Sequence, residues 1–260
     1  MGWLEYRALE CRMKAQAQAD GDVFLPNPEP SKPVDYVFVC MEPSLGRWAG
    51  SADEAREKVD AGFRNFVSSM ENSILHFCIR RYLCEREQLC MTDISKGAML
   101  VKRASAARRE RWNRWWPLLK DELDLVAKPD AGIFAVGRPV ADYLRRHGRA
   151  FTHLIHYSGL AGQARRTAIL GHEAEFEAWK KMDSVSLPDV LAKAADVLCE
   201  AAVPASVRDE TLTRLANRQP LSESEQQLIF AYKLAFEAYR KKREVSAEEG
   251  KRRCDCDGLR

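Results

Sequence analysis

The sequence predicts an α/β protein: a doubly wound, central parallel four-stranded sheet flanked by helices, with a C-terminal helical extension. Three observations carry this. Four short segments rich in β-branched and aromatic residues recur between Val34 and Ser158. Stretches with apolar residues at helical spacing separate them, the alternation that a parallel sheet requires. From about Ser184 only helical patterns remain.

Met1 to Lys32 opens helically and then runs into FLPNPEPSKP, whose prolines deny it regular structure. Val34 to Cys40 (VDYVFVC) is nearly continuously apolar, as a strand covered on both faces is. The loop MEPSLGRWAG follows. Asp53 to Arg86 then carries Val59, Phe63, Phe66, Met70, Ile74 and Phe77 at helical spacing, with a break at Gly62, and predicts two helices. Gln88 to Ser95 (QLCMTDIS) is the second strand. After the KGAML loop a long helix is expected from a Ser105 cap, with Trp112, Trp115 and Trp116 as core residues beside Leu118, Leu119 and Leu123. Asp130 to Val136 is the third strand, and Gly137 turns it into a helix with Pro139 in its first turn and Gly148 at its far end. Phe151 to Ser158 is the fourth strand. Residues 1–203 are thus expected to form the α/β domain. Residues 204–260 form the helical extension, ending in a mobile basic tail, SAEEGKRRCDCDGLR, that lacks an apolar period.

Composition narrows the function classes. With 260 residues, 46% hydrophobic and 30% charged, the chain is that of an ordinary globular protein, not a collagen-like or wholly disordered one. It has no apolar run of membrane-spanning length and opens without an apolar leader, so a cytoplasmic location is expected. The eight cysteines are then read as reduced thiols. Cys78, Cys84 and Cys90 have neither zinc-site nor iron–sulfur spacing, and Cys254 with Cys256 lies in the tail, so no metal is expected. A net charge of +3 does not by itself announce nucleic acid. There is no GxGxxG, GxxxxGK[ST] or GxSxG, which disfavours dinucleotide, P-loop and serine-hydrolase chemistry.

In a doubly wound sheet, ligands bind beyond the carboxyl ends of the strands. Three loops sit there, MEPSLGRWAG, TDISKG and IHYSGLAG, and each presents an ionisable residue: Glu42, Asp93 and His156. A carboxylate and an imidazole converging on one crevice suit a reaction in which a positive centre and an anionic leaving group develop together. Each also has a plainer reading: Glu42 as a helix cap or a solvent-facing group, Asp93 as a turn former, His156 as a satisfied strand-end histidine. Lys96, Lys102, Arg103, Arg108, Arg109, Arg111 and Arg114 follow the second loop, and Arg165 and Arg166 the fourth. They supply a basic rim for phosphates or, for Arg108 to Arg114, a solvated helix face.

In order, these loops resemble the motifs of the uracil-DNA glycosylase superfamily over roughly Val34 to Lys181. VFVCMEPSLG is similar to the family's first motif, MTDISKG to its second-strand segment, IFAVGRPVADYL to the strand, glycine and helix before the last motif, and IHYSGLAGQARR to the last motif itself. The resemblance implies a uracil-DNA glycosylase-like fold, a flipped nucleotide, hydrolysis of an N-glycosidic bond and no cofactor, with DNA as the partner of a monomer. It implies Glu42 and His156 as catalytic residues. It places Asp93, Phe63, Phe66, Ser44 and Met41 around the base, with core packing the expected role of at least one of the two phenylalanines, and Lys96, Lys102, Ser158, Leu160, Arg165 and Arg166 on DNA, Leu160 as the wedge left in the duplex. The departures bear on the base. Glu42, Ser44 and Tyr157 stand where many relatives carry Asn, Gly and Pro, and Asp93 replaces the Asn that reads uracil. An ionised Asp accepts from a cytosine amino group but opposes a uracil carbonyl. A C5-substituted cytosine, such as those of viral DNA, is therefore the favoured target; ordinary uracil repair and a non-catalytic DNA-binding protein are the alternatives.

Overall fold

The β-branched run Val34–Cys40 forms a strand, β2, at the centre of the sheet, where Val37, Phe38 and Val39 are fully buried. The computed structural model describes residues 3–30, 32–46, 48–67, 69–84, 88–158, 161–218 and 220–257, with the backbone alone at 3, 101 and 246–257. Before β2 come α1 (Trp3–Ala19) and β1 (Val23–Phe24); after it come α2 (Ala52–Asp60), α3 (Met70–Tyr82), β3 (Leu89–Asp93) and β4 (Gly97–Ala98). Then follow α4 (Val101–Ser105), α5 (Arg108–Val126), β5 (Ala127–Val136), α6 (Arg138–Arg146) and β6 (Thr152–Leu154). The chain ends in α7 (Gly162–Ala168), α8 (Glu173–Met182), α9 (Leu187–Glu200), α10 (Ala205–Ala216) and α11 (Glu223–Asp257).

The four-stranded sheet has the order β3-β2-β5-β6 and is parallel throughout. Helices cover both faces. On one, α3, α9 and α11 close over Phe38, Cys40, Phe134 and Val136; Phe38 and Phe134 stack at 4.8 Å, and Phe236 of α11 meets both edge-on. On the other, α5 and α6 cover Val37, Val39 and Ala135. The expected doubly wound α/β arrangement is therefore present, and α11, expected as an extension, supplies one wall of the main core. None of the described helices is long and apolar enough to cross a membrane.

Several boundaries differ from expectation. The long helix does not start at a Ser105 cap: Ser105 ends α4, and Ala107, in the left-handed region at φ 49°, turns the chain into α5. The fourth strand is three residues long because the chain leaves the sheet edge after Leu154. α11 continues as helical backbone to Asp257, into the segment that lacks an apolar period. Cys78, Cys84 and Cys90 are buried thiols of the core, as expected.

Candidate active site

The chain moves from β2 outward to β3 on one side and from β5 outward to β6 on the other, so the switch point lies between β2 and β5. Cys40 pairs with Asp93 and Val136 with Leu154, which sets the ends of all four strands level. Glu42, Asp93, Gly137 and His156 follow from that register.

His156 is fixed by three contacts. The Ser158 N–H donates to Nδ1 at 3.0 Å, Tyr157 stacks on the ring at 4.5 Å, and Gly137 takes up the space beneath it. Burial, then the charges of Arg165 and Arg108, push the imidazole pKa down to about 4. The ring is therefore neutral, and since Nδ1 accepts, its proton sits on Nε2. That N–H has no hydrogen-bond partner among the described residues. Gly137 has φ 96°, and a Cβ there would lie 3.1 Å from His156 Cδ2. We expect Gly137→Ala to cost about 1–3 kcal/mol through backbone strain alone. It should also shift His156, detectable as a changed His156 ring signal by NMR; an unmoved ring with unchanged stability would contradict this packing.

Asp93, the last residue of β3, is 3% exposed. Asn65 donates to its Oδ2 at 2.6 Å, and Oδ1 has no partner among the described residues. Burial drives its pKa up to about 7, against the lowering effects of Lys96 and the Asn65 hydrogen bond; Glu42 and Glu122 push it further up. Asn65 spends its second N–H on Asn27 Oδ1 and accepts the Phe66 N–H, while Asn27 donates to Thr92. Thr92 and Lys96 both donate to Glu122 at 2.6 Å, and Lys96 also donates to Thr92. Lys96 and Glu122 are 2% and 0% exposed. A connected polar chain thus runs from the interior ion pair to Asp93.

Glu42 is not the free carboxylate that its position suggests. Arg108 Nε donates to Oε1 at 2.8 Å and Trp112 Nε1 to Oε2 at 2.7 Å, with Arg111 at 3.7 Å. Burial raises its pKa, and these cations and hydrogen bonds oppose the rise. Its oxygens are committed to α5, where they hold Arg108 in place.

The remaining expected site residues divide. Phe66 belongs to the main core beside Cys40 and follows Asn65; it has φ 61°, a conformation that a bulky residue adopts only when its surroundings compel it, and His76 Nε2 donates to its carbonyl at 3.0 Å. Phe63 is corrected: it stacks on Trp48 at 4.5 Å in a separate cluster with Leu45 and Ala55, so its faces are taken. Met41 packs toward the α5–α6 side, and Ser44 bridges Met99 while its carbonyl accepts from Trp48. Lys96 is corrected too, because an interior ammonium paired with Glu122 cannot reach a phosphate. Arg165, 3% exposed, binds Ser224 and the carbonyls of Tyr157 and Ser158, and so ties the His156 loop to α11; the DNA contact expected of it is withdrawn. Ser158 serves the same loop through its N–H. Lys102 and Arg166 are exposed, as a phosphate contact requires. Leu160 lies outside the described residues.

Sequence reasoning missed Asn27, Asn65 and Glu122, and it read Trp112 only as the core residue it is, not as a partner of Glu42. Asn65 alone left a signal, a polar residue held between two phenylalanines in GFRNF. No family model, no curated protein and no solved structure matches the chain.

Proposed function

We propose that the protein is a DNA glycosylase that extrudes a nucleotide, hydrolyses its N-glycosidic bond and leaves an abasic site, with a C5-substituted cytosine as the favoured target. The observation that carries this reading is the His156 ring, whose Nδ1 accepts from Ser158 and so leaves its proton on Nε2, set just past the end of the same parallel sheet whose β3 ends at Asp93. As the bond between base and sugar breaks, the electron pair leaves with the base and water adds to the sugar carbon. The proton that this water gives up to solvent is matched by one that the base anion takes from solvent. A neutral N–H donor, aimed where negative charge develops, stabilises that base without having to lose a charge of its own. Arg108, held by Glu42, adds positive potential nearby.

Asp93 decides the base. Because Oδ2 accepts from Asn65, the proton of the neutral acid sits on Oδ1, where it donates to a carbonyl such as O4 of uracil; the ionised acid instead accepts from the N4 amino group of a cytosine. With the pKa raised to about 7, raising the pH through 7 shifts preference from uracil toward a cytosine-type base. The mismatch of roughly 1–3 kcal/mol predicts a change in the ratio of about one to two powers of ten. Asp93→Asn, always a donor, should favour uracil and lose the pH dependence. Single-turnover excision of uracil and 5-hydroxymethylcytosine at pH 6 and 8 tests this, and a base ratio that does not change with pH sinks the role of Asp93.

A further inference from the structure

A cavity of about 120 Å³ opens at the amino-terminal ends of β2 and β3, the opposite end of the strands from the crevice. Three buried polar atoms of its lining have no hydrogen-bond partner among the described residues: His76 Nδ1, Arg80 Nε and Glu29 Oε1. Buried polar atoms are almost always paired, so bare ones around one cavity point to a missing occupant, and the two on α3, His76 Nδ1 and Arg80 Nε, set what it must offer.

Their chemistry is specific. His76 is 5% exposed, and its Nε2 faces the Phe66 carbonyl, which only accepts; the proton is therefore on Nε2, and Nδ1 offers a lone pair. Burial and the Arg80 charge push the His76 pKa down to about 3, so that lone pair is free at neutral pH. Both terminal nitrogens of Arg80 are committed to Glu200, which leaves Nε–H. His76 and Arg80 lie one turn apart on α3, so the acceptor and the donor stand side by side on one face. Val34, Leu89, Met91 and Val197 supply the apolar part of the wall, and Glu200, paired with Arg80, also lines the cavity. The volume is several times the roughly 30 Å³ of one water.

We propose that this cavity is a second binding site, for a small planar molecule that carries an N–H beside a C=O, the edge presented by a free pyrimidine base. The C=O accepts from Arg80 Nε–H, the N–H donates to His76 Nδ1, and the ring lies against the apolar wall. Nothing in this assignment depends on the chemistry of the crevice.

The test is titration of uracil into the full chain, followed by the ¹⁵N signals of the His76 ring and Arg80 Nε. Both should move along one saturable curve, and 1,3-dimethyluracil, which has no N–H, should move neither. Arg80→Lys keeps a charge opposite Glu200 but lacks Nε–H, and Ala201→Leu fills the cavity from its wall; each should weaken the response at His76 by about tenfold or more. The proposal is overturned if uracil leaves both signals in place, if the dimethylated base binds as well, if both variants bind unchanged, or if a crystal structure with uracil shows only water in the cavity. Uracil bound solely in the crevice also overturns it and leaves the glycosylase proposal untouched.

Discussion

His156→Ala is expected to lower single-turnover excision by about 10²- to 10³-fold, the loss that removal of one preorganised donor to a developing anion produces. Affinity for DNA should change little, because the neutral ring contributes no charge to phosphate binding. The pH profile of the native protein adds a check. His156 stays neutral above about pH 4, so its own titration should leave the rate flat from pH 5 upward, and any inflection near 7 belongs to Asp93. A variant that binds DNA poorly but excises at the native rate once bound would make His156 a binding residue.

Lys96→Met is expected to cost about 3–5 kcal/mol of stability, because it leaves Glu122 buried and unpaired. Urea unfolding measures this directly. Combining it with Glu122→Leu should recover most of the loss, since an apolar pair of similar volume removes the stranded charge along with its partner. The Lys96→Met change should also be felt at the site, because Thr92, Asn27 and Asn65 link the ion pair to Asp93. A loss below about 1 kcal/mol would show that solvent reaches Glu122.

What the sequence disclosed depended on whether the signal was local. VDYVFVC reads as a buried strand because its apolar run needs no distant partner to be recognised, and β2 begins and ends where that run does. The positions of Glu42, Asp93 and His156 followed from strand ends and the switch-point rule, which are also local inferences. The polar chain was invisible for the opposite reason: Lys96 finds Glu122 across 26 residues and Asp93 finds Asn65 across 28, and no periodicity connects them. A lysine in a loop is exposed by default, and only its partner makes it an interior residue. The same holds for Arg165, whose partners Tyr157, Ser158 and Ser224 come from two separate segments. The break before α5 was missed because Ser105 has the chemistry of a cap, whereas the turn is made by the left-handed Ala107, which carries no sequence signature.

The most direct measurement of the central claim is abasic-site formation on a panel of DNAs that contain uracil, 5-hydroxymethylcytosine, its glucosylated form or only normal bases, with the released base identified by mass spectrometry. The glycosylase account predicts a free C5-substituted cytosine and an abasic strand with the native protein, near-background release with His156→Ala, and no release from normal DNA. Binding to every DNA on the panel without a released base from any of them would contradict it and favour a non-catalytic DNA-binding protein.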